Sequence, residues 1–596
     1  MKHCSFILNL SVILTSFMTQ GVTLEATAEY NYTFLQVRDE AENQPKLDLT
    51  LEPDDPLAQT PNSIPTPEAP LRENSFQKAE PLPKQCSLDN SSSTEKKIIT
   101  FGNIKIAGST IFQEDDLRPI LEAFQEREPT REELSIIADS ITLIYLNKGY
   151  INSRAVINLK TVDGKPEILV TEGRIGQIEI YGLRRINLSY VCSRISLGAN
   201  VPLDTNELEN QLRLLRADPL FENIEASLRA EKKEGVSTLV VRVKEANPFV
   251  SSLSVDNYFP PVVGSERFGT ELRYRNLTGI GDEIAASYYR SFSGGAEVWD
   301  FIYRAPLNPK NGTLQLRAAP SNTSIIQEPF DRFGVRETQE LYEISYRQPL
   351  IRSLNEELAL SLSFTYQDGQ TFILDNIPVP FLQGPNESGV TRTSVIKFSQ
   401  DYTRRDFSGA WSLRSQFSLG TGWFGATVNE SPIPDSRFFS WLGQVQRVQR
   451  LDNNHLLLMQ ADLQLTPNTL LTSQQFIIGG GQSLRGYREN LRTGDNGFRF
   501  SIEDRIAILR NKSGYPVLQI APYVDLGGVW NNAKNPNRIR NESLLLNTGL
   551  GVLWDKPLGI HGLTLRLDYS IPIYSIKDRG DNIQDTAFYF SARYQI

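Results

Sequence analysis

The sequence has little of what redox, metal and proton-transfer chemistry is built from. Its 596 residues include three cysteines and three histidines. His3 stands at the start. His455 follows Asp452-Asn453-Asn454, and His561 sits in Gly559-Ile560-His561-Gly562, both turn-forming contexts. Neither has the partners of a Ser–His pair or the spacing of a metal site. The sequence therefore offers no catalytic residue, no metal ligand and no cofactor, and an enzyme is not expected. No glycine loop ends in Gly-Lys-Ser/Thr, which removes a phosphate-cradling site. Basic charge is short as well: 61 Lys and Arg stand against 70 Asp and Glu, a net charge of -9. A nucleic-acid partner is left without its electrostatic footprint. Long apolar runs are missing after the first residues, so no membrane helix is expected downstream. The mean hydropathy of -0.31 resembles that of a soluble protein. It does not exclude a membrane barrel, because strands that alternate apolar and polar residues average to near neutrality.

The start of the chain reads as a signal peptide over residues 1–28. Lys2 and His3 give a positive n-region, Phe6 to Met18 is mostly apolar, and Ala26-Thr27-Ala28 fits the small-residue cleavage pattern. After cleavage Cys86 and Cys192 remain. In an oxidising compartment they either pair or persist as two buried thiols. Residues 29–97 are polar, with nine prolines between Pro45 and Pro83. Such a stretch cannot repay its ordering entropy by apolar burial, and it reads as an extended linker. Glu29 to Gln44 carries a faint helical signal ahead of it.

At Ile98 the pattern changes. Ile98 to Ala107 reads as a strand and Gln113 to Gln125 as a helix. Thr130-Arg131-Glu132-Glu133 is a capping box, opening a helix with a stripe at Leu134, Ile137, Ile141, Ile144 and Tyr145 that Gly149 ends. Strands at Ile151 to Leu159 and Glu167 to Glu172 follow, joined by Asp163-Gly164. The β-α-α-β-β order then recurs. Gln177 to Tyr181 is a strand and Leu188 to Ile195 is helical. Asp204-Thr205-Asn206-Glu207 resembles a second capping box before Leu208, Leu212 and Leu215. Strands near Ile224 to Arg229 and Thr238 to Lys244 complete the module. Two modules are expected, at 98–173 and 174–246.

From residue 247 to 596 helical periodicity disappears and alternation takes over. In Leu358 to Tyr366 every even position is apolar or aromatic and every odd one small. Leu563 to Ile571 places Arg566 and Asp568 on the face opposite its apolar side chains. Aromatics cluster in Phe438-Phe439-Ser440-Trp441 and Ala587-Phe588-Tyr589-Phe590, as interface girdles require. The chain stops on an alternating strand, which suits closure of a barrel whose free edge would leave backbone groups unsatisfied in lipid. The region runs for roughly 350 residues without a helical segment, and a spanning strand needs about 9–11 residues.

Several segments carry a resemblance. Ile106 to Phe112, Leu146 to Ala155 and Val170 to Ile175 resemble a POTRA domain of the haemolysin-activator type, and the second module is similar in order. Gly479-Gly480-Gly481-Gln482-Ser483-Leu484-Arg485-Gly486-Tyr487 is similar to the V-R-G-Y/F signature of the long sixth loop in that barrel superfamily, with Leu484 in place of valine. Tyr523-Val524-Asp525-Leu526-Gly527 matches its aromatic-x-D-x-G strand motif. The chain looks like a two-partner-secretion transporter of the TpsB type. That resemblance implies two periplasmic POTRA modules and a transmembrane antiparallel barrel of about sixteen strands in the outer membrane. It implies a monomer in contact with outer-membrane lipid, whose partner is a large secreted exoprotein, unfolded in transit. It implies a pore helix, for which Glu29 to Gln44 is the candidate, and a sixth loop inserted through Arg485 onto Asp525. The residues themselves allow this: Asp525 faces away from Val524 and Leu526, and Gly527 on its face leaves room for an incoming loop. The alternative is a BamA-like insertase, which shares the loop motif. Two modules rather than a longer series argue against it.

Overall fold

The computed structural model describes residues 51–52, 82–88, 98–102, 104–124, 129–158, 167–374, 376–539, 543–574 and 580–596. The signal peptide, the Glu29 to Gln44 segment, most of the proline-rich stretch and Asp163-Gly164 lie outside the described residues. Two compact units emerge, one ending at Asn247 and one running from Pro248 to the C-terminus apart from a short stretch at Gly279–Gly281.

In the first module, helices Glu114–Leu121 and Arg131–Asn147 pack on a four-stranded sheet. The capping box at Thr130 is reciprocal. The Thr130 hydroxyl accepts from the Glu133 N–H (3.3 Å), and the Glu133 carboxylate accepts from the Thr130 N–H (2.8 Å). Two N–H groups that the helix cannot satisfy internally are thus paired. The stripe Leu134, Ile137, Ile141 and Tyr145 is buried against Ile104, Ile106 and Ile168. Each such side chain contributes about 1.5–3 kcal/mol on burial. The single strand expected over Ile98 to Ala107 is instead a hairpin of Ile98–Phe101 and Ile104–Ala107. Gly102, at φ +56°, reverses the chain, and Gly-Asn is a tight-turn pair. Ile104–Ala107 then runs parallel to Glu167–Thr171, with Arg154–Asn158 on the outer side.

The second module comprises Arg174–Tyr181, helices Leu188–Ile195 and Thr205–Arg216, and strands Phe221–Ala230 and Val236–Glu245. Its second helix keeps half of the expected capping box. Asp204 accepts from the Asn206 N–H (2.8 Å), whereas the Glu207 carboxylate accepts from the Asn200 side chain (2.8 Å). The extended-linker reading of residues 29–97 needs correction at its end. Lys84–Ser87 is an edge strand of this module, antiparallel to Arg174–Tyr181, and Leu51–Glu52 pairs with the opposite edge. Composition marks this stretch as unable to build its own core, but four residues can borrow a neighbour's sheet edge.

The second unit is a closed barrel of sixteen antiparallel strands, counting Thr313–Ala318 and Ser321–Ser324 as one interrupted strand and leaving out the two-residue Ile377–Pro378, which only extends the end of Glu356–Ile373. The last strand, Phe588–Gln595, pairs with the first, Phe249–Asp256, from Ser252↔Gln595 to Asp256↔Ser591. Alternation sorts side chains by face. Leu567, Tyr569 and Ile571 point outward and are exposed, while Asp568 and Ser570 are buried inside. The aromatic clusters obey the same period of two: Phe588 and Phe590 stack 6.5 Å apart on one face, and Tyr589 between them is buried on the other. Only alternate members can therefore serve a girdle. Turns at one end are short: Phe407 and Ser408 alone link Val390–Asp406 to Gly409–Thr421. The longest loops lie at the other end, the usual asymmetry of periplasmic turns and external loops.

Candidate functional site

The longest of these loops joins the eleventh strand, His455–Leu465, to the twelfth, Asn496–Arg510, and is the sixth by count at that end. It folds inward rather than over the rim. A short antiparallel pair, Phe476–Ile478 with Arg492–Gly494, brings its two arms together. Between the arms, residues 479–491 turn against the barrel wall.

Arg485 is the centre of the contact. Its Nε donates to Asp525 Oδ2 (2.9 Å), its Nη2 to Asp525 Oδ1 (2.7 Å), and its backbone N–H also to Asp525 Oδ2 (3.2 Å). This is the two-pronged carboxylate recognition that a planar guanidinium provides. Nη1 donates to Glu503 Oε2 (2.5 Å), and the guanidinium stacks on the Tyr523 ring, 3.3 Å from its centroid, a cation–π contact. The Arg485 side chain is 7% exposed and that of Asp525 0%. Asp525 also accepts from Ser501 (2.7 Å) and Asn547 (3.2 Å).

The neighbours of Arg485 in the motif have separate tasks. Leu484 is fully buried among Phe476, Ile478, Val529 and Leu545. A Cβ on Gly527 would stand 2.5 Å from Leu484 Cδ1, so the glycine holds the space the loop fills. Gly486 has φ +84°, and a Cβ there would stand 2.6 Å from Ser570 Cβ; both facts require glycine. The Tyr487 hydroxyl donates to the Leu546 carbonyl (2.6 Å) and accepts the Leu546 N–H (3.1 Å). The Tyr523 hydroxyl is hydrogen-bonded to Ser570 (2.5 Å). All seven motif residues thus meet at one patch of wall.

Sequence reasoning missed the rest of the patch. Glu503 also pairs with Arg505 (2.7 Å) and Arg566 (2.7 Å), and Arg566 pairs with Asp568 (2.7 Å). Arg485, Arg505 and Arg566 therefore face Asp525, Glu503 and Asp568, and the cluster is neutral. Arg488 adds a two-pronged pair with Asp585 (2.6 and 2.7 Å), and Arg499 bonds both Asp462 and the Gln482 carbonyl. The signal was present as spacing: Ser501, Glu503 and Arg505 share one face of an alternating strand, as do Arg566 and Asp568. Nothing in the cluster is arranged for proton transfer to a substrate. It is a latch of charge-assisted bonds and one fitted leucine. Cys86 and Cys192 lie elsewhere, joined as a disulfide in the second module with Cα atoms 6.6 Å apart.

The family profile of haemolysin secretion/activation proteins ShlB/FhaC/HecB matches residues 235–553. The chain belongs to that family. The ShlB-type POTRA domain matches residues 99–173. Among relatives, the heme/hemopexin transporter protein HuxB of Haemophilus influenzae strain 86-028NP is 24% identical over 427 residues, covering 65% of this chain and 68% of its own. The outer membrane transporter CdiB of Escherichia coli is 23% identical over 461 residues, covering 76% and 74%. The solved structure of Escherichia coli CdiB superposes with a TM-score of 0.64 at 18% identity, covering 97% of this chain and all of that one. BamA from Haemophilus ducreyi lacking POTRA domains 1–3 gives 0.50 at 15% identity, covering 84% of this chain and all of that one. The two barrels share a fold at that distance. The protein is an outer-membrane transporter of the two-partner-secretion type, with its POTRA modules in the periplasm, and it serves a partner protein.

Proposed function

We propose that the partner is a large exoprotein that the POTRA modules receive unfolded and that crosses the membrane, extended, through the barrel lumen. No nucleotide hydrolysis by this chain drives the passage. The observation that carries this reading is the inward sixth loop. It lies in the lumen and is held there by ion pairs, hydrogen bonds and one leucine, all non-covalent contacts that can release and re-form. Inward-facing positions such as Ser399, Gln464 and Asp568 are polar, so the inner wall is hydrophilic where an extended chain would pass. Folding outside the cell makes return unfavourable. Depleting the protein tests the reading. Loss of one large polypeptide from the medium, with other outer-membrane proteins at normal levels, is the expected result. A general loss of outer-membrane barrels would instead establish insertase activity.

A further inference from the structure

A bulky side chain costs free energy in the left-handed region of backbone space, where glycine and asparagine sit more freely. Among the described residues, eight other than glycine have a positive φ, and three of these are asparagines. Phe424 is the one aromatic residue of the eight, at φ +55° and ψ +36°, and it is 70% exposed. As a turn residue alone it is a poor choice, and strain held at such a position asks for a function.

Phe424 lies in Gly422-Trp423-Phe424-Gly425, directly after strand Gly409–Thr421, and Trp423 is 55% exposed. The turn folds back on the outside of the wall. The Phe424 ring meets that of Phe364 edge-on, with centroids 5.6 Å apart. Register places Phe364 level with Leu419, through Ile396. The Ser394 hydroxyl donates to the Trp423 carbonyl (2.9 Å). Ser394 shares the outward face with Tyr366 and Phe398 but is fully buried, so the turn covers a hydroxyl that would otherwise stand unpaired on the lipid side. The outward side chains of Glu356–Ile373 change character at this height. Leu360, Leu362 and Phe364 are apolar and Tyr366 is amphipathic. Asp368 beyond them pairs with Arg392 of the neighbouring strand (2.7 Å). Gly425 lies beside that pair: a Cβ on it would stand 3.8 Å from Arg392 Nη1. The two aromatics thus sit where the wall passes from apolar to charged.

We propose that Gly422–Gly425 is a membrane foot, which seats Trp423 and Phe424 in lipid at the boundary between acyl chains and head groups on the long-loop side of the barrel. Trp and other rings with an apolar body favour that depth. Removing a phenyl ring from water is worth at least as much as the left-handed conformation costs, so lipid offsets the strain that the turn carries. The glycines on either side let the chain double back over the wall instead of rising from the strand end.

The test uses the full-length protein in vesicles of phosphatidylethanolamine and phosphatidylglycerol. In a Cys4→Ser background, with Cys86 and Cys192 bonded to each other, Phe424→Cys takes a nitroxide label at residue 424 alone. Leu362→Cys on the lipid-facing wall and Glu430→Cys on the same loop are the references. The label at 424 should collide with dissolved oxygen several-fold more than with a water-soluble nickel chelate, as at 362, and the order should reverse at 430. Nickel accessibility at 424 equal to that at 430 would overturn the proposal. So would shielding of 424 from both reagents, which would mean that protein and not lipid covers the turn. A second measurement reads the strain. In a Phe364→Ala background, where the ring contact is gone, Phe424→Asn should lower the urea midpoint for unfolding from vesicles. Asparagine tolerates the backbone better, so a raised or unchanged midpoint would show that no lipid contact offsets the strain, and the proposal would fall.

Discussion

The N-terminal modules and the barrel place their apolar side chains on opposite sides of the backbone. In the first module Ile104, Ile137 and Ile141 are fully buried, and charge lies outside. In the barrel Leu362, Leu567 and Ile571 face outward, and Asp525, Asp568 and Glu503 are buried within. Both regions satisfy the same rule, because their solvents differ. Water surrounds the modules, and lipid surrounds the strands. The contrast teaches where function can be separated from stability. A module is held by its core, so its interior cannot be cut without unfolding it. A barrel wall is held by strand hydrogen bonds, so its interior charges are free to hold something else.

Substitutions separate the two kinds of interior. Ile141→Ala should destabilise the first module by about 2–5 kcal/mol, the cost of a buried cavity. Leu362→Ala, on the lipid-facing side, opens no enclosed cavity and should cost only the lost transfer of three carbons into hydrocarbon, about 2 kcal/mol or less. Hydrogen exchange of the module amides and heat-modifiability of the barrel read the two effects. Equal losses would remove the distinction.

A smaller effect is expected where the loop meets the wall. Gly527→Val should cost about 1–3 kcal/mol through overpacking against Leu484. The loss should appear as loosening of the sixth loop, read by its protease accessibility, with the barrel still folded. Leu484→Val removes one methylene and should cost about 1 kcal/mol or less, with secretion retained.

The smallest effect is a pH dependence in the second module. Burial acts to raise the Glu245 pKa, but the N–H groups of Ile186, Arg184 and Arg185 and the Arg185 side chain outweigh it and hold the pKa below the usual 4.5. The stabilisation is therefore present above pH 4.5 and is lost as pH falls through the lowered value. Glu245→Gln should lower the module's stability at pH 7 and flatten its decline in acid. An unchanged acid profile would show that another carboxylate sets it.

The sequence made the modules legible where a local rule was strong. The Thr130 box and the stripe from Leu134 to Tyr145 are local signals, and the helix follows them. The hairpin at Gly102 was missed because four-residue strands are too short to show a period across a turn. The docking of Lys84–Ser87 was missed because edge pairing is decided by a partner about 90 residues away, which no local window sees. The Arg485–Asp525 pair was reached through resemblance supported by alternation. Glu503, Arg566 and Asp568 were readable as inward-facing but not as members of one cluster, because neighbours around a barrel are set by strand register and closure. Gly527 was read as room for a loop, and Leu484 occupies that room.

Arg485→Ala breaks the latch at its centre. The substitution removes the guanidinium and leaves Asp525 buried with the residue-485 backbone N–H, Ser501 and Asn547 as its donors, a loss that costs about 3–5 kcal/mol for a buried pair, while the strand ladder is untouched. Secreted partner in the medium is measured against folded barrel in the membrane, for Arg485→Ala, Asp525→Ala and the double variant. The expected result is a normal heat-modifiable barrel, secretion reduced at least about tenfold in each single variant, and a double variant little worse, since coupled residues do not add. Normal secretion with Arg485→Ala, or losses that simply add in the double variant, would contradict it.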